Sequence, residues 1–175
     1  MDALLVIDVQ RAMFASPSSL PHDGEAVVAR IAGLIDAARS QGVPVFFVQH
    51  DGGPGDDFSK DGPGFAFRPE IAPRDGEAVT VKRMCNSFQQ TDLDAKLRAA
   101  GIDHLVVCGM QTEYCVDTAI RAAVERGFRV TAVQDAHSTF DTDVLPAAAI
   151  IAHHNHTWQG SFAALRRAAD LDFAR

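Results

Sequence analysis

Short, continuously apolar runs alternate along this chain with longer segments in which apolar residues recur every three or four positions. Ala3–Ile7 is wholly apolar and closes at Asp8, the pattern of a strand buried on both faces whose first polar residue emerges at its carboxyl end. Val43–Val48 repeats it, and shorter or mixed runs that also predict strands follow at Glu77–Val81 closing at Lys82, His104–Cys108 closing at Gly109, and Phe128–Val133 closing at Gln134-Asp135. Between the first two runs, Val27, Val28, Ile31, Leu34, Ile35 and Ala38 fall at helical spacing within Gly24–Ser40, ahead of Gly42 and Pro44. This predicts a helix of about four turns. Thr91 with Asp94, an imperfect capping box, opens a second helix that closes at Ala100-Gly101. Thr112–Arg126 predicts a third helix, ended by Gly127, and Leu145–His154 a fourth, with Pro146 in its first turn. Phe162–Leu165 is a candidate sixth strand. Asp51–Asp75 carries four of the eight prolines and five glycines. It therefore predicts a long surface loop of the functional or mobile kind.

Strands alternating with helices imply βαβ units, right-handed crossovers, and an α/β fold: a three-layer, Rossmann-like parallel sheet of about six strands with helices on both faces. The expected unit is a single domain over residues 1–175. In such sheets a ligand lies beyond the carboxyl ends of the strands, where strand order reverses. If the order is 3-2-1-4-5-6, the first and fourth strands flank that point, and Asp8 then lies beside the segment that carries Cys115.

Composition narrows the partners. A formal net charge of −7 without a Lys/Arg cluster argues against nucleic acid and anionic membranes. The apolar runs are too short for a membrane span, and the acidic start Met-Asp is unlike a signal peptide. A cytoplasmic protein with reduced thiols is expected, since Cys85, Cys108 and Cys115 are too few for a disulfide framework. Cys108, inside Leu-Val-Val-Cys, reads as an inert core thiol.

Asp8, Lys82 and Cys115 can meet at one rim of the sheet. Singly, Asp8 also reads as a turn-capping carboxylate, Lys82 as a solvated strand-end charge and Cys115 as a buried helix cysteine. Together they supply a nucleophile, a carboxylate that takes the thiol proton and returns it to a leaving amine, and an ammonium that compensates charge. Cys115 falls in the first turn of the third helix, where unpaired N–H groups and the helix dipole favour a thiolate.

At this point the residues resemble a family. Leu-Leu-Val-Ile-Asp-Val-Gln (4–10), Val-Lys-Arg-Met-Cys-Asn-Ser-Phe (81–88), Gly-Met-Gln-Thr-Glu-Tyr-Cys-Val-Asp-Thr-Ala (109–119), Val-Thr-Ala-Val-Gln-Asp-Ala (130–136) and Ile-Ile-Ala-His-His-Asn-His-Thr (150–157) are similar to the isochorismatase-like cysteine hydrolases. The resemblance spans nearly the whole chain. It implies an Asp8-Lys82-Cys115 triad, a non-proline cis peptide at Met110-Gln111, and an oxyanion hole from the backbone N–H groups of Gln111 and Cys115. It also implies a homo-oligomer, dimer or tetramer.

Nicotinamidase-like members bind a metal through Asp-x-His and further loop histidines. The matching positions here read Gln49-His50-Asp51, and 51–75 has no histidine, so no metal and no cofactor are expected. His153, His154 and His156 read as helix-end hydrogen bonding or a subunit contact rather than zinc ligation. Phe14, Phe88 and Tyr114 are candidate pocket walls, the phenylalanines equally candidate core. Gln10, Gln49 and Gln111 read as substrate contacts or solvated strand ends, and Glu113 as a residue favouring the helix N-terminus or repelling an anionic substrate. The expected activity is hydrolysis of a small amide or related C–N bond through a thioester. The alternatives are vinyl-ether hydrolysis of the isochorismatase type, which can proceed without the cysteine, a redox-sensing thiol with Cys85 as resolving partner, and a non-catalytic protein on the same fold.

Overall fold

The computed structural model describes residues 1–173; the last two residues of the expected 1–175 unit lie outside it. Six strands, β1 (Asp2–Ile7), β2 (Val45–His50), β3 (Ala78–Lys82), β4 (His104–Met110), β5 (Arg129–Ser138) and β6 (Ala164–Arg166), form one sheet. All neighbours are parallel and the order is β3-β2-β1-β4-β5-β6, as expected from the alternation of strands and helices. Side chains of β1 divide between two cores: Ala3, Leu5 and Ile7 face one, Leu4 and Val6 the other. The first core is closed by α2 (Leu93–Ala99), α3 (Asp117–Glu125) and Trp158 of α4 (Ala147–Trp158), the second by α1 (Gly24–Ser40). The continuous apolar runs follow from this burial on both faces, each full-sized aliphatic contributing about 1.5–3 kcal/mol.

Several boundaries differ from the sequence expectation, for physical reasons. β5 does not stop at Gln134-Asp135 but runs on to Ser138. Its pairing with β4 jumps from Val107↔Ala132 to Gly109↔His137, so Cys108 lies across from Val133–Ala136; the polar pair marks an interruption in the ladder rather than its end. The third helix is two elements. Thr112–Val116 is a π-helical turn, with the Val116 N–H donating to the Gln111 carbonyl, and regular α-helix begins only at Asp117. The capping box at Thr91 does not form, because α2 starts at Leu93 and Asp94 ion-pairs with Arg98. α4 extends one turn beyond His154 to Trp158, whose indole N–H donates to Asp117 Oδ1 at 2.7 Å.

The 51–75 segment is long and contains only the short 3₁₀ turns Pro63–Phe65 and Pro69–Ile71, yet it is fastened. Gln10 Nε2 donates to the carbonyls of His50 and Phe65, its Oε1 accepts the His50 N–H, and Gln49 Nε2 donates to Phe65 as well. Arg11 N–H reaches the Ala66 carbonyl and Arg68 N–H the Val9 carbonyl. At the near end, Asp51 accepts the N–H groups of Gly53 and Lys60 and pairs with Arg83.

Candidate active site

Three strand ends deliver Asp8, Lys82 and Cys115 to one point. Asp8 follows β1 in the left-handed region (φ 51), with its N–H held by the Val48 carbonyl. Such a conformation costs a non-glycine residue energy and persists only where the surroundings fix it. Lys82 ends β3, two strands away, which is about 10 Å. Its long side chain crosses the end of β2 and places Nζ 2.6 Å from Asp8 Oδ2 and 3.2 Å from Cys115 Sγ. The Lys82 and Asp8 side chains are 0% exposed. Neither carboxylate oxygen of Asp8 receives a well-angled hydrogen bond from the described residues, so the ammonium holds it as an ion pair.

Cys115 sits in the π-helical turn that follows a cis peptide at Met110-Gln111. This turn approaches β1 closely at Gly109, where φ is 130 and a Cβ would lie 2.1 Å from the Ile7 carbonyl oxygen. Behind the turn runs a relay of side chains. Thr112 Oγ1 is 2.9 Å from His137 Nδ1, His137 Nε2 donates to Asn155 Oδ1, and Asn155 Nδ2 donates to the Gln134 carbonyl. Burial depresses His137 to about 4, so the ring is neutral, accepting from Thr112 and donating to Asn155.

The electrostatics correct one expectation. Cys115 is not tuned toward the thiolate. Burial and the Asp8 carboxylate push its thiol up, and Lys82 offsets them only in part. Burial likewise raises Asp8 above the ordinary carboxylate range against the pull of Lys82. Burial alone would lower Lys82, but the Asp8 carboxylate 2.6 Å away opposes it, and the ammonium stays charged with its pKa above the ordinary value. The resting site is thus a neutral thiol beside a carboxylate and an ammonium. Cys108 is also a neutral buried thiol, with no charged partner.

Asp8 and Cys115 floor a cavity of about 330 Å³ that is also lined by Gln111 and Tyr114. The other expected contacts are placed elsewhere. Gln10 and Gln49 are tied to the 51–75 segment, as described above. Phe14 packs under the Arg68 guanidinium, and Phe88 stacks on Phe128 in the core. None of these four lines the cavity. Glu113 accepts from the Thr139 hydroxyl. His154 is bonded to the Ile150 carbonyl one turn back in its own helix, and among the described residues no three His, Cys, Asp or Glu side chains cluster as a metal would need.

Residues not expected as substrate contacts complete the lining: His50, Asp56, Phe58 and Phe140, with Ala12, Met13 and Cys85. At β2 the rule that found Asp8 leads to Gln49, the first polar residue after Val48; the residue that reaches the cavity is His50, one position on and the last of that strand. Its Nδ1 lies 3.3 Å from Lys82 Nζ, and burial and Lys82 depress its pKa. The ring therefore accepts from the ammonium and carries its proton on Nε2.

The isochorismatase domain family matches residues 2–159. A streptothricin hydrolase of Streptomyces noursei is 37% identical over 155 residues, covering 85% of this chain and 56% of that protein, so the chain spans little more than half of that relative. The ureidoacrylate amidohydrolase RutB of Azorhizobium caulinodans is 28% identical, covering 95% of this chain and 89% of that one. The crystal structure of an isochorismatase from Pseudomonas putida KT2440 superposes with a TM-score of 0.91 at 35% identity, covering 97% and 89% of the two chains. Fold, strand order and sequence agree, and the chain belongs to the isochorismatase family of hydrolases.

Proposed function

We propose that this hydrolase cleaves a small amide or related C–N bond through a thioester on Cys115. The observation that carries the reading is the Lys82 ammonium within 2.6 Å of Asp8 and 3.2 Å of Cys115 at the floor of the cavity. With the thiol neutral and Asp8 ionised, Asp8 takes the thiol proton as sulfur attacks the carbonyl carbon. Its raised pKa makes it a better base than an exposed carboxylate. Charge developing on the carbonyl oxygen is met by the backbone N–H groups of Gln111 and Cys115, each such donor contributing about 3 kcal/mol. The C–N bond then breaks as Asp8 returns the proton to the departing amine; a water deprotonated by Asp8 next attacks the thioester carbon, the C–S bond breaks to release the acid, and Asp8 gives that proton back to the Cys115 sulfur. Lys82 stays protonated throughout. The names of the two relatives, a hydrolase and an amidohydrolase, agree with this chemistry.

The test is intact-mass detection of an acyl adduct on Cys115 during turnover of small amides, with a pH profile. Activity requires ionised Asp8, so kcat/KM rises with pH through one ionisation placed above the ordinary carboxylate value of 3.8. Turnover that persists in Cys115→Ala would support vinyl-ether chemistry instead. One observation favours a second reading: exposed Cys85 lines the same cavity. A peroxide would oxidise Cys115 to a sulfenic acid, which Cys85 then converts to a disulfide with release of water. Cys85→Ser separates the two, since hydrolysis persists without Cys85 and the disulfide does not form.

A further inference from the structure

Charge around the cavity is one-sided. No Lys or Arg among the described residues lines it, and the Lys82 ammonium beneath its floor is already committed to Asp8 and Cys115. A second carboxylate, Asp56, does line it, and among the described residues Asp56 makes no ion pair. The neighbouring cations are otherwise engaged or outside the lining: Arg83 is held by Asp51, and Arg68 by Glu25 and Glu70. His50, also in the lining, is held neutral by its burial and by Lys82.

Asp56 is placed rather than loose. Its Oδ1 accepts the Phe58 N–H at 2.8 Å, and the carboxylate rests where a side chain at position 52 would be, since a Cβ on Gly52 would come within 2.1 Å of Oδ1. The rings of Phe58, Tyr114 and Phe140 line the same cavity. Aromatic faces attract cations through their quadrupole, and a carboxylate among them adds direct Coulomb attraction. An anionic substrate would instead meet the uncompensated Asp56 carboxylate, with the Asp8 charge balanced by Lys82 and no cation in the lining among the described residues.

We propose that the cavity selects substrates bearing a positively charged group, an ammonium or a substituted ammonium, which Asp56 and the surrounding rings receive while the scissile carbonyl lies at Cys115. This deepens the amide-hydrolase reading and rests on it for the identity of the reaction. The charge preference itself can be read without turnover.

Two experiments separate the inference from that reading. The first measures modification of Cys115, site by site by mass spectrometry at low ionic strength, with methanethiosulfonates carrying an ethylammonium, a neutral methyl or an ethylsulfonate group. Rates are normalised to those of the same reagents with a free small thiol. We expect the ammonium reagent to outpace the sulfonate by about tenfold, and Asp56→Asn to cut that ratio by about fivefold while keeping the acceptor for Phe58. A ratio unchanged by Asp56→Asn, or a sulfonate preference, overturns the proposal.

The second compares kcat/KM for 4-aminobutanamide, 4-hydroxybutanamide and succinamate. The cationic amide should lead the neutral one, with the anion last, and Asp56→Asn should cost the cationic amide about tenfold more than the neutral one. If succinamate is best, the charge inference fails and amide hydrolysis stands. If none is hydrolysed but the labelling follows charge and Asp56, the hydrolase reading loses support and the cation site stands.

Discussion

The floor of the cavity and its rim are built by different means. At the floor, Asp8, Lys82 and Cys115 come from three segments locked by the sheet, and all are buried. At the rim, Asp56 is exposed and Phe58 half-buried, in a segment with no strand of its own. The floor uses low dielectric and fixed register, so its charges interact strongly and tolerate little displacement. The rim uses hydrogen bonds near the surface, where solvent softens electrostatics. On the proposed mechanism, reaction chemistry and substrate choice are lodged in parts of unequal rigidity, and substitutions should divide accordingly.

The largest effect belongs to the floor. Cys115→Ala should lower kcat by about a thousandfold or more with the far-ultraviolet spectrum unchanged. Lys82→Met should also abolish turnover, and it leaves Asp8 as an uncompensated buried charge, lowering the unfolding free energy by about 3–5 kcal/mol at neutral pH. Asp8 in that variant binds its proton more tightly folded than unfolded, so stability recovers as pH falls and is lost as pH rises through the folded pKa; denaturant titrations at two pH values check this.

A smaller effect lies one layer behind the floor. His137 is depressed from 6.5 to about 4, so between those values the unfolded chain binds more protons than the folded one. Its contribution is therefore present above 6.5 and is lost as pH falls toward 4, at up to about 1.4 kcal/mol per pH unit. His137→Gln should flatten that part of the pH–stability curve, which thermal melts in matched buffers would show. His50 shifts in the same direction, and its share should survive in the variant.

At the rim, Gln10→Leu strips partners from the His50 N–H and the His50 carbonyl and removes one donor from Phe65. It should cost about 2 kcal/mol and raise KM more than it lowers kcat, with faster amide exchange across 51–68. Gly52→Ala acts through Asp56 alone: a Cβ at position 52 would lie 2.1 Å from its Oδ1, 2.3 Å from its Cγ and 2.8 Å from its Cβ, so the residue must shift as a whole, at about 1–2 kcal/mol. Charge selectivity should fall toward that of Asp56→Asn.

The floor was largely legible in the sequence. A strand buried on both faces announces its own end with its first polar residue, and Asp8 was found that way; Lys82 was found as the charge that closes a shorter run, at the sheet's edge, where Thr80 is already polar and Val81 is exposed. The end of β5 was missed because Gln134-Asp135 interrupts pairing without ending it, which also hid Phe140. The neutral state of the Cys115 thiol was not legible, because it depends on depth of burial and on Asp8, while the sequence displays only a helix start. Asp56 and Phe58 carry no periodic signal, and their position depends on where the Gln10 and Gln49 side chains hold the segment. The same buried amides explain why these glutamines, read as substrate contacts, face protein backbone instead.

Between residues 52 and 66 the polar fastenings land on main chain, the carbonyls of Phe65 and Ala66 and the N–H groups of Gly53 and Lys60, whereas Phe67, Arg68 and Ile71 just beyond are held by their side chains. Any residue but proline offers the same N–H, and every residue offers the same carbonyl. The stretch between its anchors is therefore an exchangeable cassette. Its side chains can drift, or be replaced wholesale, while Gln10, Gln49 and Asp51 grip the same backbone and the strand ends keep their geometry. A lineage, or a designer, can change what this hydrolase accepts by rewriting a dozen or so surface positions without touching the atoms that react.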